Sequence, residues 1–502
     1  MKSSIVFLSF LSFIVACSSP KDKQLDFKEV SIYETNANGL NFASIPLLDK
    51  ETTDVIIQFD PDSQFQKIYG FGGAMTESSA HLLQHLNPVL RKEILKDYFS
   101  SGGANYSLIR THINSCDFSL QSYAYVTDSA DHELHTFSIK KDQDDIIPML
   151  KEAQSISKDS FKILASPWTA PPFMKDNNEW FGGKLMPQYY SRWAKYFVKY
   201  IEAYQDEGLP IWGLTVENEP MGNNSNWESM HYSPEEMAEF VKKHLSNSLK
   251  RAGLDPLLFV FDQNKGEELE KWSKILLNDS TLLAEIEGTA VHWYESTFKV
   301  YKESLQNTHD FAPNKSIIHS EACIDAEIPV WKDDNWYWTK NATDWGWDWA
   351  EEDKKKDHPK YSPVARYAND IIGCMNNWVS AWIDWNLVLD PMGGPNHVEN
   401  WCIAPIIADT IKQEVYKTPL FYTISHFSRF VPPNSRRIAW KSSNDSLNLT
   451  AFQTPDKTIV LVMFNEGLNP KYYSVKGENK IVNAKISAQA IQTIVINNKE
   501  EY

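Results

Sequence analysis

The sequence contains no CxxC pair, no HExxH motif and no cluster of Cys and His at metal-ligand spacing. Those absences argue against a zinc site and call for no metal. Of the five cysteines, Cys116, Cys323, Cys374 and Cys402 lie far apart, and their spacing leaves any disulfide pairing open. Positive charge is also short, with 49 Lys and Arg against 66 Asp and Glu for a net charge of −17. A polyanion would meet a repulsive field, which argues against nucleic acid and acidic polysaccharide as main ligands. Neutral ligands are untouched by that argument. Low-complexity segments are missing too, which argues against wholesale disorder. The stretch YGFGGAM (69–75) approximates G-x-G-x-x-G but carries Met75 at the third glycine position and lacks the later acidic partner. It is not read as a phosphate cradle.

What is abundant is aromatic: 18 Trp, 22 Tyr and 25 Phe. Such residues build cores, and indoles also stack on the apolar faces of sugar rings. The 502 residues suffice for one large core with a smaller appended domain.

Residues 1–16 read as a secretory signal: Lys2 is followed by an apolar run over 5–16 too short to span a membrane as a mature helix. Ile14-Val15-Ala16-Cys17 resembles a bacterial lipobox, which implies lipidation of Cys17 and a polar tether over 17–26. The expected product is exported and lipid-anchored to a bacterial membrane.

Eight short β-branched or apolar runs follow: 67–73, 106–112, 161–166, 211–217, 257–262, 288–294, 316–321 and 379–385. Amphipathic stretches lie between them, among them PQYYSRWAKYFVKYIEAYQDEG (187–208) and SPEEMAEFVKKHLSNSLKRAG (233–253). The second opens on Ser-Pro-Glu-Glu and closes on Gly, a helix start and stop. Eight strands alternating with helices predict a (β/α)₈ TIM barrel over 67–430 rather than an open doubly wound sheet. The flanks alternate with period two: 30–36 and 53–60 before the barrel, then 436–443, 447–456, 457–467, 471–477 and 488–498 after it. These seven runs predict a β-sandwich-like domain built from both ends of the chain, 27–66 and 431–502.

A barrel of this kind carries its site at the C-terminal strand ends. Strand two ends on Arg110 and a turn with Asp117, strand three on Ser166-Pro167-Trp168-Thr169, and strand four on Glu217-Asn218-Glu219. Strand six ends on His292-Trp293-Tyr294, strand seven on His319-Ser320-Glu321, and strand eight on Asp384-Trp385-Asn386. Two carboxylates among amides and indoles suit glycoside hydrolysis, with one carboxyl donating a proton to the leaving oxygen and the other attacking the anomeric carbon. Strands four and seven can face each other across the mouth at the ~5 Å that retention requires. If strand four stays extended, Glu217 and Glu219 share a face about 6.6 Å apart, with Glu217 the deeper. Arg110 is then the expected counter-charge for Glu217.

In order along the chain, GFGGAMTES (70–78), LIRTHINSCDFS (108–119), ASPWTAPPFMK (165–175), LTVENEP (214–220), VHWY (291–294), SEAC (320–323) and DWNLVLDPMGGPN (384–396) resemble glycoside hydrolase family 30. That family includes lysosomal glucosylceramidase and bacterial β-1,6-glucanases. The resemblance covers about residues 67–430 and implies a retaining double-displacement mechanism without a cofactor. It places the acid/base on Glu219 and the nucleophile on Glu321. Its substrate-holding positions fall on Asp117, Trp168, Asn218, His292, Tyr294, Trp385 and Asn400.

The stretch 331–349 holds six tryptophans, which can wall off subsites at the mouth or pack a loop against the barrel. It departs from the glucosylceramidase branch, and HVENWCIAPIIAD (397–409) is similar to the bacterial β-1,6-glucanase branch. The expected substrate is a neutral β-glucan, β-1,6-linked first, with glucosylceramide second and exo or endo action open. A surface glycan-binding protein that has lost catalysis is the alternative of another class. Retention of both glutamates argues against it.

Overall fold

The computed structural model describes residues 29–49, 54–224, 226–325, 335–339, 362–477 and 481–497. The expected signal and lipidation segment, with Cys17, lies outside the described residues, as does all of 331–349 except 335–339.

Eight parallel strands close into a barrel: β1 (Gly70–Ala74), β2 (Leu108–Ile113), β3 (Lys162–Pro167), β4 (Ile211–Thr215), β5 (Leu257–Asn264), β6 (Gly288–His292), β7 (Ser316–Glu321) and β8 (Val379–Asn386). Each hydrogen-bonds to its neighbours in chain order, and β8 closes on β1. Alternate residues point inward, where Leu108, Leu164, Phe259, Ala290, Ile318, Ala381 and Ile383 form a closed apolar core. The outward set meets the surrounding helices in a much larger cluster. A Cβ on Gly72 would stand 1.8 Å from the backbone oxygen of Leu108 on β2. That glycine of YGFGGAM therefore serves close strand packing.

The helices between strands carry the local signals read from the sequence. Ser233 caps Pro234–Phe240, with a reciprocal capping box to Glu236, and Gly253 closes Ser246–Ala252 in a left-handed conformation (φ 69°). Between these two pieces, Val241–Leu245 forms a π-helical turn that the apolar spacing did not reveal.

The N- and C-terminal strands form one hydrogen-bonded ladder of nine. The seven expected strands are joined by the two-residue Ala43–Ser44 and by Ile481–Ile486. Ile32 and Val482, from near opposite ends of the strand order, share one apolar core with Ile57, Leu449, Leu461 and Ile494. The ladder is therefore folded onto itself as a sandwich. It docks on the barrel through helix Pro419–Ser428, where His426 Nδ1 lies 2.9 Å from Thr493 Oγ1 and Nε2 lies 3.0 Å from Thr35 Oγ1.

Within 335–339, Trp336–Trp338 forms a single tight turn with Tyr337 and Trp338 buried. Gln489 Nε2 donates to the carbonyl of Trp338 at 3.1 Å. These aromatics pack the chain against the body of the protein. No helix among the described residues is long and apolar enough to cross a membrane.

Candidate active site

Arg110 projects from β2 with no exposure and makes four side-chain hydrogen bonds to its neighbours. Its Nε donates to Ser166 Oγ (3.1 Å), and its Nη2 donates to Asn218 Oδ1 (2.8 Å) and Asp262 Oδ2 (2.9 Å). Its Nη1 forms a charged hydrogen bond with Glu321. The guanidinium also lies 4.8 Å and 5.5 Å from the ring centroids of Trp168 and Trp385, which stack on each other at 5.2 Å. The expected pairing of Arg110 with Glu217 is therefore incorrect: the guanidinium serves the end of β7 and Asp262.

Glu217 is wholly buried, and neither of its carboxyl oxygens has a hydrogen-bond partner among the described residues. Burial pushes it well above the usual carboxylate range, against the opposing pull of Lys175. The expected strand parity fails here as well. β4 ends at Thr215, and Glu219 adopts a left-handed conformation (φ 47°), so the two glutamates do not alternate along one extended strand. Backbone bonds from Asn218 N to Pro167 O (2.7 Å) and from Glu219 N to Asp262 O (2.9 Å) hold this turn between β3 and β5.

Asp262 is the hub. It sits on β5 at a bulge where Phe261 and Asp262 both have positive φ (75° and 54°) and the register against β6 shifts. Such a bulge re-aims a side chain. Its carboxylate takes the Arg110 bond, lies 3.0 Å from His292 Nε2, and accepts from Ser320 Oγ at 2.5 Å. Burial opposes ionisation, but Arg110 and His292 outweigh it and hold the carboxyl well below its usual range. His292 reaches Glu219 Oε1 with its other nitrogen at 3.1 Å. Burial would lower the imidazole, yet Glu321 and Asp262 raise it to about 9. Tyr294 donates to Glu321 Oε1 at 3.0 Å. Burial pushes Glu321 upward, and His292 and Arg110 oppose that push. Glu219 and Glu321 are thus the ends of one chain of contacts running through His292, Asp262 and Arg110.

Across the mouth, Asn400 donates to Asp117 Oδ2 at 2.8 Å. Burial and then the nearby Glu321 push Asp117 up to about 8. Asp117, Trp168, Asn218, His292, Tyr294, Trp385 and Asn400 are thereby brought to the same end of the barrel as the two glutamates. Other residues read at the strand ends point away from it. His319 stacks on Trp382 at 5.1 Å, and Asp384 accepts from Tyr367 at 2.8 Å, both outside the barrel wall. His319, Asp370 and Cys374 come close enough to hold a cation, but the Lys265 ammonium already sits 2.6 Å from Asp370.

The barrel-domain model of glycosyl hydrolase family 30 matches residues 68–431. The chain belongs to glycoside hydrolase family 30. The family's β-sandwich model matches residues 434–494. Lysosomal acid glucosylceramidase of Mus musculus is 33% identical over 423 residues, covering 82% of this chain and 78% of that protein. Among solved structures, SrfJ from Salmonella typhimurium superposes with a TM-score of 0.82 at 29% identity, covering 94% of this chain and 100% of the other. The endo-β1,6-glucanase BT3312 gives 0.79 at 28% identity, covering 93% and 99%.

Within this family 30 site, the sequence reading passed over three groups. Asp262 stood at the end of the fifth strand run, where the barrel rule applies to it as to the others. Glu228 and His397 had no such signal. Glu228 is buried, accepts from Ser115 Oγ at 2.8 Å and lies 3.2 Å from His397 Nε2. The pair joins the loops that follow β2, β4 and β8.

Proposed function

We propose that the chain is a retaining β-glucosidase-type hydrolase in which Glu321 is the nucleophile and Glu219 the acid/base. The observation that carries this reading is the contact chain Glu219–His292–Asp262–Arg110–Glu321, which binds two carboxyls, one from the turn after β4 and one from the end of β7, into one unit. Glu321 faces a guanidinium and a phenol, donors that orient a carboxylate for attack, and the guanidinium opposes the net upward push of burial on its carboxyl. Glu219 faces an imidazole that carries a proton at neutral pH.

In the first step, Glu321 attacks the anomeric carbon while Glu219 gives its proton to the leaving oxygen. The new Glu219 carboxylate is stabilised by the adjacent His292 cation. In the second step, a water gives a proton to Glu219 and attacks the same carbon, and Glu321 departs. Net configuration is retained. Arg110 also fixes the Asn218 amide through its oxygen, so that Nδ2 faces away from the guanidinium, where a sugar hydroxyl can accept from it. Asp117 and Asn400 form a second polar clamp for hydroxyls of the same ring.

The substrate we infer is a neutral glucan with β-1,6 linkages. The net charge of −17 and the likeness to BT3312 support it. Glucosylceramide is the second reading, supported by 33% identity to the mouse glucosylceramidase. Product analysis on pustulan, laminarin and glucosylceramide side by side separates them. Release of glucose or gluco-oligosaccharides from pustulan alone supports the first reading, and hydrolysis of the lipid alone overturns it. Binding of glycan without any release from p-nitrophenyl β-glucoside would favour a surface glycan-binding protein. We also propose export and anchoring through a lipid on Cys17, supported by the apolar run 5–16 and the residues around the cleavage position.

A further inference from the structure

Three residues beyond the proposed nucleophile, the chain forms a short antiparallel pairing with the loop that follows β8. Ile324 pairs with Ile403 and Asp325 with Cys402. The pairing sets Cys323 beside Cys402 with their Sγ atoms 3.0 Å apart. That is about 1 Å more than a formed S–S bond requires. Both thiols are nearly buried, at 3% and 4% exposure. The two flanks are alike: Glu321 stands two residues before Cys323, and Asn400 stands two residues before Cys402. Tyr294, which donates to Glu321, also reaches Cys323 Sγ at 3.4 Å.

We propose that Cys323 and Cys402 form a disulfide that ties the end of the β7 strand to the loop carrying Asn400. Formation requires a disulfide donor, either a small-molecule disulfide such as oxidised glutathione or the active-site disulfide of a thiol oxidoreductase. The thiolate of one cysteine attacks the donor disulfide, giving a mixed disulfide and releasing one thiol. The thiolate of the other then displaces the second thiol and closes the S–S bond. Two electrons and two protons pass from the cysteine pair to the donor, which leaves as two thiols.

The consequence lies in the site. Asn400 belongs to a loop segment held by its own local bond, Asn400 N to Asn396 Oδ1 at 2.9 Å, by the Asp117 contact and by the short pairing at Cys402 and Ile403. A covalent tie at Cys402 fixes this segment against β7, so the Asp117–Asn400 clamp and Glu321 keep one spacing. The bond would also close a loop between positions 79 residues apart, which restricts the unfolded chain.

The test uses the full chain incubated with oxidised glutathione or with dithiothreitol, blocked with an alkylating agent and digested without reduction. A cross-linked peptide pair containing Cys323 and Cys402 is expected after oxidation and absent after reduction. Recovery of both peptides separately alkylated from the oxidised protein would overturn the bond. Oxidation should also raise Tm by about 5 °C. Reduction should raise KM about threefold or more with less change in kcat. In Cys402→Ser both responses to dithiothreitol should vanish, and an undiminished response there would overturn the tie. The mass measurement stands apart from the glycosidase reading, whereas the KM measurement rests on it.

Discussion

The guanidinium of Arg110 and the carboxylate of Asp262 meet at 2.9 Å with neither side chain exposed. Everything reactive in the site leans on that pair, because Arg110 continues to Glu321 and Asp262 continues through His292 to Glu219. Asp262→Asn keeps the shape and removes the charge. Loss of one member of a buried pair costs roughly 3–5 kcal/mol of stability. Catalytic efficiency should fall about 100-fold or more, because both carboxyls lose their orientation. Urea unfolding and kcat/KM measure the two effects. Wild-type efficiency in a folded variant would remove Asp262 from the account.

His292 offers a direct titration. Its imidazole is raised from 6.5 to about 9, so the folded state holds the proton more tightly than the unfolded state. That contribution to stability is present below pH 6.5 and is lost as pH rises through about 9. Asp117, raised to about 8, acts in the same direction. Tm should therefore decline between pH 6.5 and 9, and His292→Gln should flatten the decline. An NMR titration of the imidazole checks the group itself; a midpoint near 6.5 would contradict the assignment.

Glu217 is the opposite of a supporting anion. Buried with no hydrogen-bond partner among the described residues and pushed well above the usual carboxylate range, it holds its proton more tightly when folded than when unfolded. Its cost to stability is small below pH 4.5 and grows as pH rises. Glu217→Gln removes the titration and should raise Tm at pH 8 by about 2 °C or more, with little gain at pH 4. A lower Tm at pH 8 would show that the carboxylate is needed ionised.

Acid should weaken the docking of the sandwich. His426 sits between Thr493 and Thr35 with its imidazole lowered by burial from 6.5 to about 3. Its contribution is present above pH 6.5 and is lost as pH falls toward 3, because only the unfolded chain can take up the proton. His426→Gln should reduce the slope of stability against pH in that window. An unchanged slope would place acid sensitivity elsewhere.

The eight strands were legible because each is a short β-branched run between helical stretches, and FKILAS became Lys162–Pro167 within a residue or two. Ser233 and Gly253 announced their helix ends chemically. What escaped were backbone departures from ideal geometry. Residue spacing gives side-chain direction only while φ stays regular, and Glu219, Phe261 and Asp262 all lie in the left-handed region. The turn at Glu219 defeated the parity argument, and the bulge at Asp262 supplied the hub. The partner of Arg110 was misread for the same reason: its choice among Glu217, Asp262 and Glu321 depends on a bulge that no period reveals. Strand Ile481–Ile486 went unread because its alternation is short and follows the polar run Gly477-Glu478-Asn479-Lys480 in the sequence.

The central claim is that Glu321 attacks the anomeric carbon and Glu219 moves the proton. The most direct measurement is the turnover of p-nitrophenyl β-glucoside by Glu321→Ala, with and without azide, alongside the fold measured by circular dichroism. The account predicts a folded protein with turnover abolished, and azide restoring release as an α-glucosyl azide. Substantial hydrolysis by Glu321→Ala without any added nucleophile would contradict it.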